Sequence, residues 1–386
     1  MTDLEHILPL WRELEASGAD YVLATVVAVD GPSYRKPGAR MLLAPDGRRA
    51  GTVSGGCLEA EVARRAWWLT DAGPVVERYS TVEDDGEMPY GSGCGGVVFI
   101  LLERRATAGP LLPALVDAFD LRAPIAIATV LDGPHIASRA FADPQKDPQM
   151  EPSENTMLSC VSELEDLAEL AIDRRTSIER EISIDGAPTR IWIEYHHARP
   201  GLWIFGAGDD AQPVVRLARE LGWFVAVADG RSHLATRARF ESANDVLALP
   251  IAELPGAADL HFASRLLATD AAVLMTHSFE QDSRIVASIL GDARKCPLAY
   301  IGILGPQRRT REVLAEAARL LHLVNPEDRA EEWLAELHAP TGIDLGAETP
   351  ATIALSILAE IQKVLNAATG KPLRQVRAAG VNVAQR

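Results

Sequence analysis

The sequence predicts an α/β protein with two domains, the second of which is built on a doubly wound parallel sheet. The chain has 386 residues, more than a single hydrophobic core usually holds. From residue 202 onwards, short hydrophobic strands alternate with helical patterns, which is typical of parallel sheets with right-handed crossovers. The stretch 196–201 has the composition of a linker. We therefore expect domains at 1–198 and 199–386.

Composition and charge narrow the class of protein. The formal net charge of −16 argues against a nucleic-acid or anionic-membrane partner, both of which favour basic surfaces. No apolar run approaches the roughly 20 residues of a membrane span, and the first residues lack the regions of a signal peptide. We expect a cytoplasmic protein whose four cysteines are thiols rather than disulfides: Cys57, Cys94, Cys160 and Cys296.

The first domain is predicted to be a mixed α+β domain with its motifs between about residues 20 and 105. Apolar residues at helical spacing from Leu4 to Leu14 predict a first helix, which Gly18 ends. The turn Pro45-Asp46-Gly47 predicts a hairpin. Strands are expected at 21–29, 41–44, 51–53, 75–79 and 97–102, with a helix from Leu58 to Leu69. The region 105–198 is less informative, apart from a strand at 124–131 and a hairpin at 178–195.

The second domain is predicted to be Rossmann-like. Its expected strands are 202–205, 224–228, 245–249, 271–275 and 297–301, with a helix over 210–221. Thr349 and Pro350 supply the N-cap and first residue of a final helix, whose apolar positions recur every four residues. This pattern predicts a sheet covered by helices on both faces.

A glycine-rich turn follows the first strand of that sheet. Gly206-Ala207-Gly208-Asp209-Asp210-Ala211 has the form of a dinucleotide-binding fingerprint, with Asp229 placed to bind a ribose. Gly206 would make the turn and Gly208 would admit a phosphate to the helix N-terminus. Asp209 and Asp210 would repel that phosphate, or they only complement the helix dipole. The motif predicts the fold and leaves nucleotide binding open.

Polar and glycine-rich groups also follow the later strands, at the edge where open parallel sheets bind ligands. His277 is a candidate for ligand binding or proton transfer, and a helix-start residue without a role is the competing interpretation. Gly302 and Gly305 follow the last strand. Arg308 and Arg309 are candidates for a phosphate contact, with one of them expected to be solvated.

Two cysteines stand among glycines. Ser54-Gly55-Gly56-Cys57 and Gly93-Cys94-Gly95-Gly96 leave each thiol little side-chain cover, which favours access by a ligand. A small buried cysteine in a turn is the alternative for either one. Cys57 is expected near a helix N-terminus, which favours the thiolate, whereas Glu59 and Glu61 oppose it. A structural zinc site is not expected, because the cysteines are single and lack nearby histidines.

A basic loop precedes both cysteines. Arg35, Lys36 and Arg40 stand among glycines and prolines, and a loop folded over the thiols would bind an anion and stabilise thiolate. A solvated run of charge is the alternative. We predict that Cys57 and Cys94 face one cleft between the two domains, near enough to share a ligand.

Taken together, these motifs resemble the xanthine dehydrogenase accessory protein family (XdhC/CoxI). The resemblance rests on 31–41, Ser54-Gly55-Gly56-Cys57-Leu58-Glu59 and Gly93-Cys94-Gly95-Gly96, and in the second domain on 205–208, 275–277, 300–305 and 342–350. It spans both domains and leaves roughly 105–200 and the tail uncovered. Many family members carry His where this chain has Asp209.

The resemblance implies a non-enzymatic chaperone that binds the molybdenum cofactor (molybdopterin), assists its sulfuration and inserts it into a xanthine dehydrogenase-type molybdenum hydroxylase. The implied partners are the apo-enzyme and a cysteine desulfurase, and a homodimer stays open. Cys57 and Cys94 would contact molybdenum or relay sulfur, because soft thiolates suit both roles. The remaining cofactor-binding candidates are Arg35, Lys36, Arg40, Ser54, Gly55, Gly56, Gly93, Gly95, Gly206, Gly208, Asp229, His277, Gly302, Gly305 and Arg308.

Two other functions compete with this one. An NAD(P)-dependent oxidoreductase would explain Gly206, Gly208 and Asp229 but not the two cysteines, and the sequence shows no Tyr-x-x-x-Lys pair for proton transfer. The sequence therefore leaves NAD(P) or another nucleotide open as a second ligand. A scaffold between desulfurase and target would bind neither pterin nor nucleotide.

Overall fold

The computed structural model describes two compact units. The described residues are 2–56, 58–80, 96–143, 161–255, 262, 265–291 and 298–378. The chain divides into Met1–Arg199 and Pro200–Arg386. None of the helices in these described ranges is both long enough and apolar enough to cross a membrane.

The first unit contains two antiparallel sheets. Its helices are α1 (Thr2–Ser17), α2 (Glu59–Leu69), α3 (Arg105–Ala108), α4 (Leu111–Asp120) and α5 (Val161–Arg174). Its strands are β1 (Val22–Asp30), β2 (Arg40–Leu43), β3 (Arg49–Gly51), β4 (Val75–Ser80), β5 (Val97–Arg104), β6 (Ile125–Val130), β7 (Arg139–Ala142), β8 (Ile178–Ile184) and β9 (Ala187–His196). One sheet has the order β3-β2-β1-β5-β4 and the other β7-β6-β9-β8.

Helices cover the first sheet because its central strand β1 is apolar on both faces. Val22 and Ala24 pack with Val62 and Ala66 of α2, whereas Leu23 on the other face belongs to a cluster with α1 and α4. The predicted hairpin is confirmed, with Leu43 of β2 opposite Arg49 of β3. The loops that follow β1 and β3 therefore emerge from a firmly packed layer.

The second unit has the predicted doubly wound architecture. Its strands are β10 (Gly201–Phe205), β11 (Phe224–Asp229), β12 (Asp245–Ala248), β13 (Ala271–Leu274) and β14 (Tyr300–Ile303). All pair in parallel in the order β12-β11-β10-β13-β14. The strand order reverses between β10 and β13, and ligands of such sheets bind at this switch point.

Helices bury both faces of the parallel sheet. They are α6 (Ala211–Glu220), α7 (Phe279–Gly291), α8 (Gln307–Leu320), α9 (Pro326–Glu336) and α10 (Pro350–Leu365). The short helix α11 (Leu373–Ala378) follows and begins with exposed side chains. Trp203 and Phe205 of β10 face α7 and α8, whereas Leu202 and Ile204 face α6 and α10. The observed α6 confirms the helix expected over 210–221, because its apolar side chains recur at helical spacing.

Candidate functional site

The glycine-rich loop before Cys57 is organised around a buried carboxylate. Glu59, the first residue of α2, is 4% exposed. Its two oxygens accept hydrogen bonds from the backbone N–H groups of Val53, Ser54, Gly55 and Gly56, at 2.8–3.1 Å. The hydroxyl groups of Thr52 and Ser54 also donate to it. One side chain therefore fixes the whole loop 52–56.

The same contacts keep Glu59 ionised. Burial alone would raise the pKa of its carboxyl, but the donors of Thr52 and Ser54 outweigh burial and lower the pKa from 4.5 to about 2. The sequence suggested that Glu59 opposes a thiolate. In the structure, backbone N–H groups stabilise this negative charge, as in an anion-binding nest, and its effect on Cys57 stays a prediction.

Two close contacts bring the motif loops of the first unit together. A methyl group added to Gly55 would lie 2.7 Å from Cδ1 of Tyr34, and Gly55 has a φ of +93°. A methyl group on Gly96 would overlap the carbonyl oxygen of Pro32. Both positions need glycine, because no side chain fits between these loops. The loop after β1 thus meets both the loop 52–56 and the start of β5.

The three cations of the basic loop have different environments. Lys36 is exposed and Arg35 is half-buried. Arg40 is 4% exposed and forms a bidentate ion pair with Glu194 of β9. It also donates to the carbonyl oxygen of Gly38 at 3.0 Å. The position of Arg40 therefore favours a role in holding the loop over direct contact with a ligand.

Glu194 is the buried anchor of that loop. The pKa of its carboxyl lies well below the usual range, because the Arg40 guanidinium and the neighbouring His196 ring outweigh the cost of burial. Nε2 of His196 lies 2.8 Å from Oε1. A methyl group on Gly38 would lie 2.6 Å from the same oxygen. This glycine allows the basic loop to pass directly over the carboxylate.

Several predicted site residues fall outside the described part of the chain. These are Cys57, Gly93, Cys94 and Gly95, together with the other two cysteines, Cys160 and Cys296. The shared cleft for Cys57 and Cys94 therefore stays a prediction. Within the described ranges, no three His, Cys, Asp or Glu side chains are grouped so that they could hold a metal ion.

In the second unit, the glycine-rich turn packs against the neighbouring strand end. Gly206 has a φ of +129°, and a methyl group on it would lie 2.5 Å from the carbonyl oxygen of Met275. A methyl group on Gly208 would lie 2.5 Å from Oδ1 of Asp210. The loops after β10 and β13 are therefore in direct contact at the switch point.

Asp229 is positioned differently from a ribose-binding carboxylate. It is fully buried at the end of β11 and accepts a hydrogen bond from the N–H of Ala207 at 2.7 Å. The backbone N–H and the guanidinium of Arg231 also donate to it. Burial raises its pKa, but these bonds outweigh burial and lower it. Both oxygens of Asp229 are therefore engaged within the protein.

The two aspartates at the helix N-terminus on this edge each contact a nearby side chain. Nε2 of His277 lies 2.9 Å from Oδ2 of Asp210, and Arg239 lies 2.8 Å from Oδ1 of Asp209. His277 has a φ of +60°, a strained conformation for a residue other than glycine. The switch point therefore presents carboxylates, where a bound pyrophosphate would need N–H groups and cations.

Gly302, Gly305 and Arg308 do not form one group. A methyl group on Gly302 would lie 2.5 Å from Oγ1 of Thr341, so this glycine makes room for side chains inside the unit. Gly305 has open space around it. The side chain of Arg308 is 89% exposed, whereas Arg309 pairs with buried Asp282 at 2.7 Å. Arg308 is the solvated member of the pair expected from the sequence.

A network that the sequence did not predict holds the segment 338–342. Tyr300 donates to Oε2 of Glu360 at 2.7 Å, and its hydroxyl lies 2.5 Å from Oγ1 of Thr341. The backbone N–H of Gly342 donates to the same carboxylate at 2.7 Å, and His338 lies 3.1 Å from it. The sequence feature that could have indicated this network is Glu360, a single glutamate among the apolar residues of the final helix.

A cavity of about 1000 Å³ lies elsewhere in the first unit. Its wall includes Arg104 and Arg105, which pair with surrounding carboxylates, among them Asp71 at 2.6 Å and Glu15 at 2.7 Å. None of the candidate residues from the sequence lines it. The cations of this cavity are already neutralised, so it is a weaker candidate than the motif loops.

Comparisons with known proteins match both units. Residues 14–80 match the model described as the XdhC and CoxI family, and residues 202–361 match the XdhC Rossmann domain. A protein of Bacillus subtilis, whose name describes it as one of the probable subunits of xanthine dehydrogenase, is 30% identical over 348 residues. The match covers 88% of this chain and 92% of that protein.

Two further relatives differ in how much they share. The molybdenum cofactor insertion chaperone PaoD of Escherichia coli is 34% identical over 134 residues, 32% of this chain and 39% of PaoD. A crystal structure from Bacillus halodurans, described as a xanthine dehydrogenase, has a TM-score of 0.68 and 27% identity. That match covers 95% of this chain and 96% of the other.

Proposed function

Because this chain belongs to the XdhC and CoxI family, we propose that it is an accessory protein that binds the molybdenum cofactor and inserts it into a xanthine dehydrogenase-type enzyme. The insertion role comes from the name of PaoD, and the enzyme class from the name of the Bacillus subtilis relative. The cofactor is cargo in this proposal, so the chain turns over no substrate of its own. It acts in the cytoplasm, where its cysteines would stay reduced.

The observation that carries the proposal is the meeting of three motif segments in the first unit. Tyr34 lies on Gly55, and Pro32 lies on Gly96. These contacts support a site where the cations Arg35 and Lys36 bind the phosphate of the cofactor. Lys36 is exposed, as a phosphate contact requires.

The two thiols complete the proposed site. In the sequence, Cys57 follows Gly56 directly and Cys94 stands two residues before Gly96. Thiolates are soft ligands that suit molybdenum or a transferable sulfur atom. We propose that Cys57 and Cys94 contact the metal or its terminal sulfur while a cysteine desulfurase supplies that sulfur. Ser54, Gly55 and Gly56 would shape the backbone beside them.

The geometry of the second unit supports this function over that of an NAD(P)-dependent oxidoreductase. Asp229, which a ribose would need, is saturated by Ala207 and Arg231. Asp209 and Asp210 place negative charge where a pyrophosphate would bind. Titration of the purified protein with NADH and NADPH should give no saturable change in fluorescence. Tight binding together with turnover of a carbonyl substrate would favour the oxidoreductase instead.

Purification from molybdenum-replete cells tests the accessory role. The wild-type protein should carry molybdenum and pterin fluorescence, and should activate apo-enzyme in a transfer assay. The Cys57→Ala/Cys94→Ala variant should lose both bound metal and transfer. The matched control is Cys160→Ala/Cys296→Ala, which should keep them. If the first variant transfers cofactor as well as the wild type, the thiol part of the proposal fails.

A further inference from the structure

The ring of Tyr34 is held on the surface by a backbone support. The residue is 75% exposed, the second largest exposure among the large hydrophobic residues of the described chain. One side of its ring lies on Gly55, where an added methyl group would be 2.7 Å from Cδ1 and 2.8 Å from Cε1. Gly55 therefore supports one side of the ring, and the rest of the ring is open to solvent.

The support under the ring is itself rigid. Gly55 donates its N–H to Glu59 at 3.0 Å, and Glu59 binds three neighbouring N–H groups in the same way. On the other side, the hydroxyl of Ser33 donates to the carbonyl oxygen of Arg35 at 2.8 Å, closing the turn around Tyr34. Gly38 then rejoins β1 by a hydrogen bond to Val26 at 2.8 Å. Both loops that position the ring are thus tied to the packed sheet.

A ring held in this way has the properties of a stacking platform. Aromatic side chains bind flat heterocycles through their faces, and the gain is largest when little conformational freedom is lost. The residues after Tyr34 are Arg35 and Lys36, so positive charge stands beside the ring. A flat nitrogen heterocycle that also carries a phosphate matches both features.

We propose that Tyr34 stacks on the pterin ring of the bound cofactor and so selects its heterocyclic part. This inference rests on the proposed function and adds the residue that recognises the ring. The hydroxyl group of Tyr34 has no part in it; the aromatic face does the binding. Lys36 and Arg35 would then hold the phosphate at the edge of the platform.

Binding measurements on ring variants test the proposal. The probes are 6-hydroxymethylpterin alone and molybdenum cofactor released from a purified molybdoenzyme. The Tyr34→Ala variant should bind both about ten-fold more weakly, as expected for loss of one stacked ring. Tyr34→Phe should bind like the wild type. The matched control is Trp68→Ala, because Trp68 is another exposed aromatic residue of the same unit, 57% exposed on α2.

A spectroscopic signature separates stacking from a structural effect. Stacking on Tyr34 should change the fluorescence of the bound pterin in wild type and Tyr34→Phe but not in Tyr34→Ala, while circular dichroism and the melting midpoint stay the same for all three. If Tyr34→Ala binds both probes like the wild type, the stacking proposal is wrong and cofactor binding stands. If the wild type binds neither probe, the proposed function itself fails and the stacking proposal fails with it.

Discussion

Oδ2 of Asp229 accepts a hydrogen bond of 2.7 Å from the N–H of Ala207, inside the glycine-rich turn itself. A carboxylate at this place in a dinucleotide-binding domain faces the ligand. Here it binds the turn and the guanidinium of Arg231, which also donates to the carbonyl oxygen of Thr276 at 3.2 Å. Asp229 thus ties together the loops that follow β10, β11 and β13.

Removing the charge of Asp229 should destabilise the second unit. Asp229→Asn replaces charge-assisted bonds in a buried site, at an expected cost of about 2–3 kcal/mol. Urea unfolding followed by tryptophan fluorescence, to which buried Trp203 contributes, should show the lower midpoint. Asp209→Asn, on the turn that Asp229 binds but with an 88% exposed side chain, is the control and should leave the midpoint unchanged. Equal midpoints for the two variants would contradict the structural role.

The pKa of Glu59 predicts a stability change in acid. Burial opposes the charge, but the bonds from Thr52 and Ser54 hold the folded pKa at about 2, below the ordinary 4.5. A lowered folded pKa gives stability that is complete above 4.5 and is lost as the pH falls towards 2. Ionised Glu59 therefore contributes about 3 kcal/mol to the free energy of unfolding above this pH range. Melting curves across this range should separate wild type from Glu59→Gln at the upper end and bring them together at the lower end.

The control for this prediction is Glu13→Gln. Glu13 pairs with Arg48 on the surface, where solvent screens the charges, so its loss should leave the melting midpoint unchanged at every pH. A constant difference between wild type and Glu59→Gln at all pH values would show that the carboxylate acts through shape alone.

Two glycines with nearly equal φ angles isolate the contact with Tyr34. Gly47, with a φ of +88°, has open space around it, whereas Gly55, with a φ of +93°, faces the ring. Gly47→Ala should cost about 1 kcal/mol from the left-handed backbone alone. Gly55→Ala should cost clearly more, and Tyr34→Ala in the same chain should remove the difference. Thermal unfolding of Gly47→Ala, Gly55→Ala, Tyr34→Ala and Tyr34→Ala/Gly55→Ala measures this difference. Equal losses at both glycines would mean that the ring moves aside freely.

Breaking the pair of Arg40 and Glu194 should be costly. Arg40→Met leaves a buried carboxylate without its main cation, which typically costs about 3–5 kcal/mol. The control is Arg190→Met on β9, the strand that carries Glu194, because Arg190 pairs with Asp132 near the surface, where the side chains are 42% and 38% exposed. Urea midpoints should fall strongly for the first variant and slightly for the second. Similar shifts would place Arg40 nearer to solvent than its contacts indicate.

The sequence predicted most of the fold because its signals are local. The hairpin at Pro45-Asp46-Gly47, the helix over 210–221 and the first four strands of the parallel sheet each follow from a short pattern, and they are confirmed. The fifth strand was expected at 297–301 and lies at Tyr300–Ile303. The reversal of strand order could also be expected, since alternating strands and helices with right-handed crossovers favour it. Such features depend on residues close together in the chain.

The partners of individual site residues could not be predicted, because they lie far apart in sequence. Arg40 and Glu194 are 154 positions apart, and Gly302 is needed by Tyr300 and Thr341 rather than by a phosphate. Glu59 was within reach, since a glutamate three residues after a Ser-Gly-Gly run can fold back on the preceding N–H groups. Its effect on Cys57 stays a prediction, because Cys57 lies outside the described residues.

The network around Glu360 sets a limit on how far the second unit can be shortened. The last strand ends at Ile303, yet Ile357 and Ile361 of α10 fill the core on one face of the sheet. Glu360, on the same helix, holds Tyr300 and Gly342. A truncation series from the carboxyl end would therefore lose cooperative folding once it enters α10, although every strand would still be present. Helix α10 is therefore required to complete the hydrophobic core of the second unit.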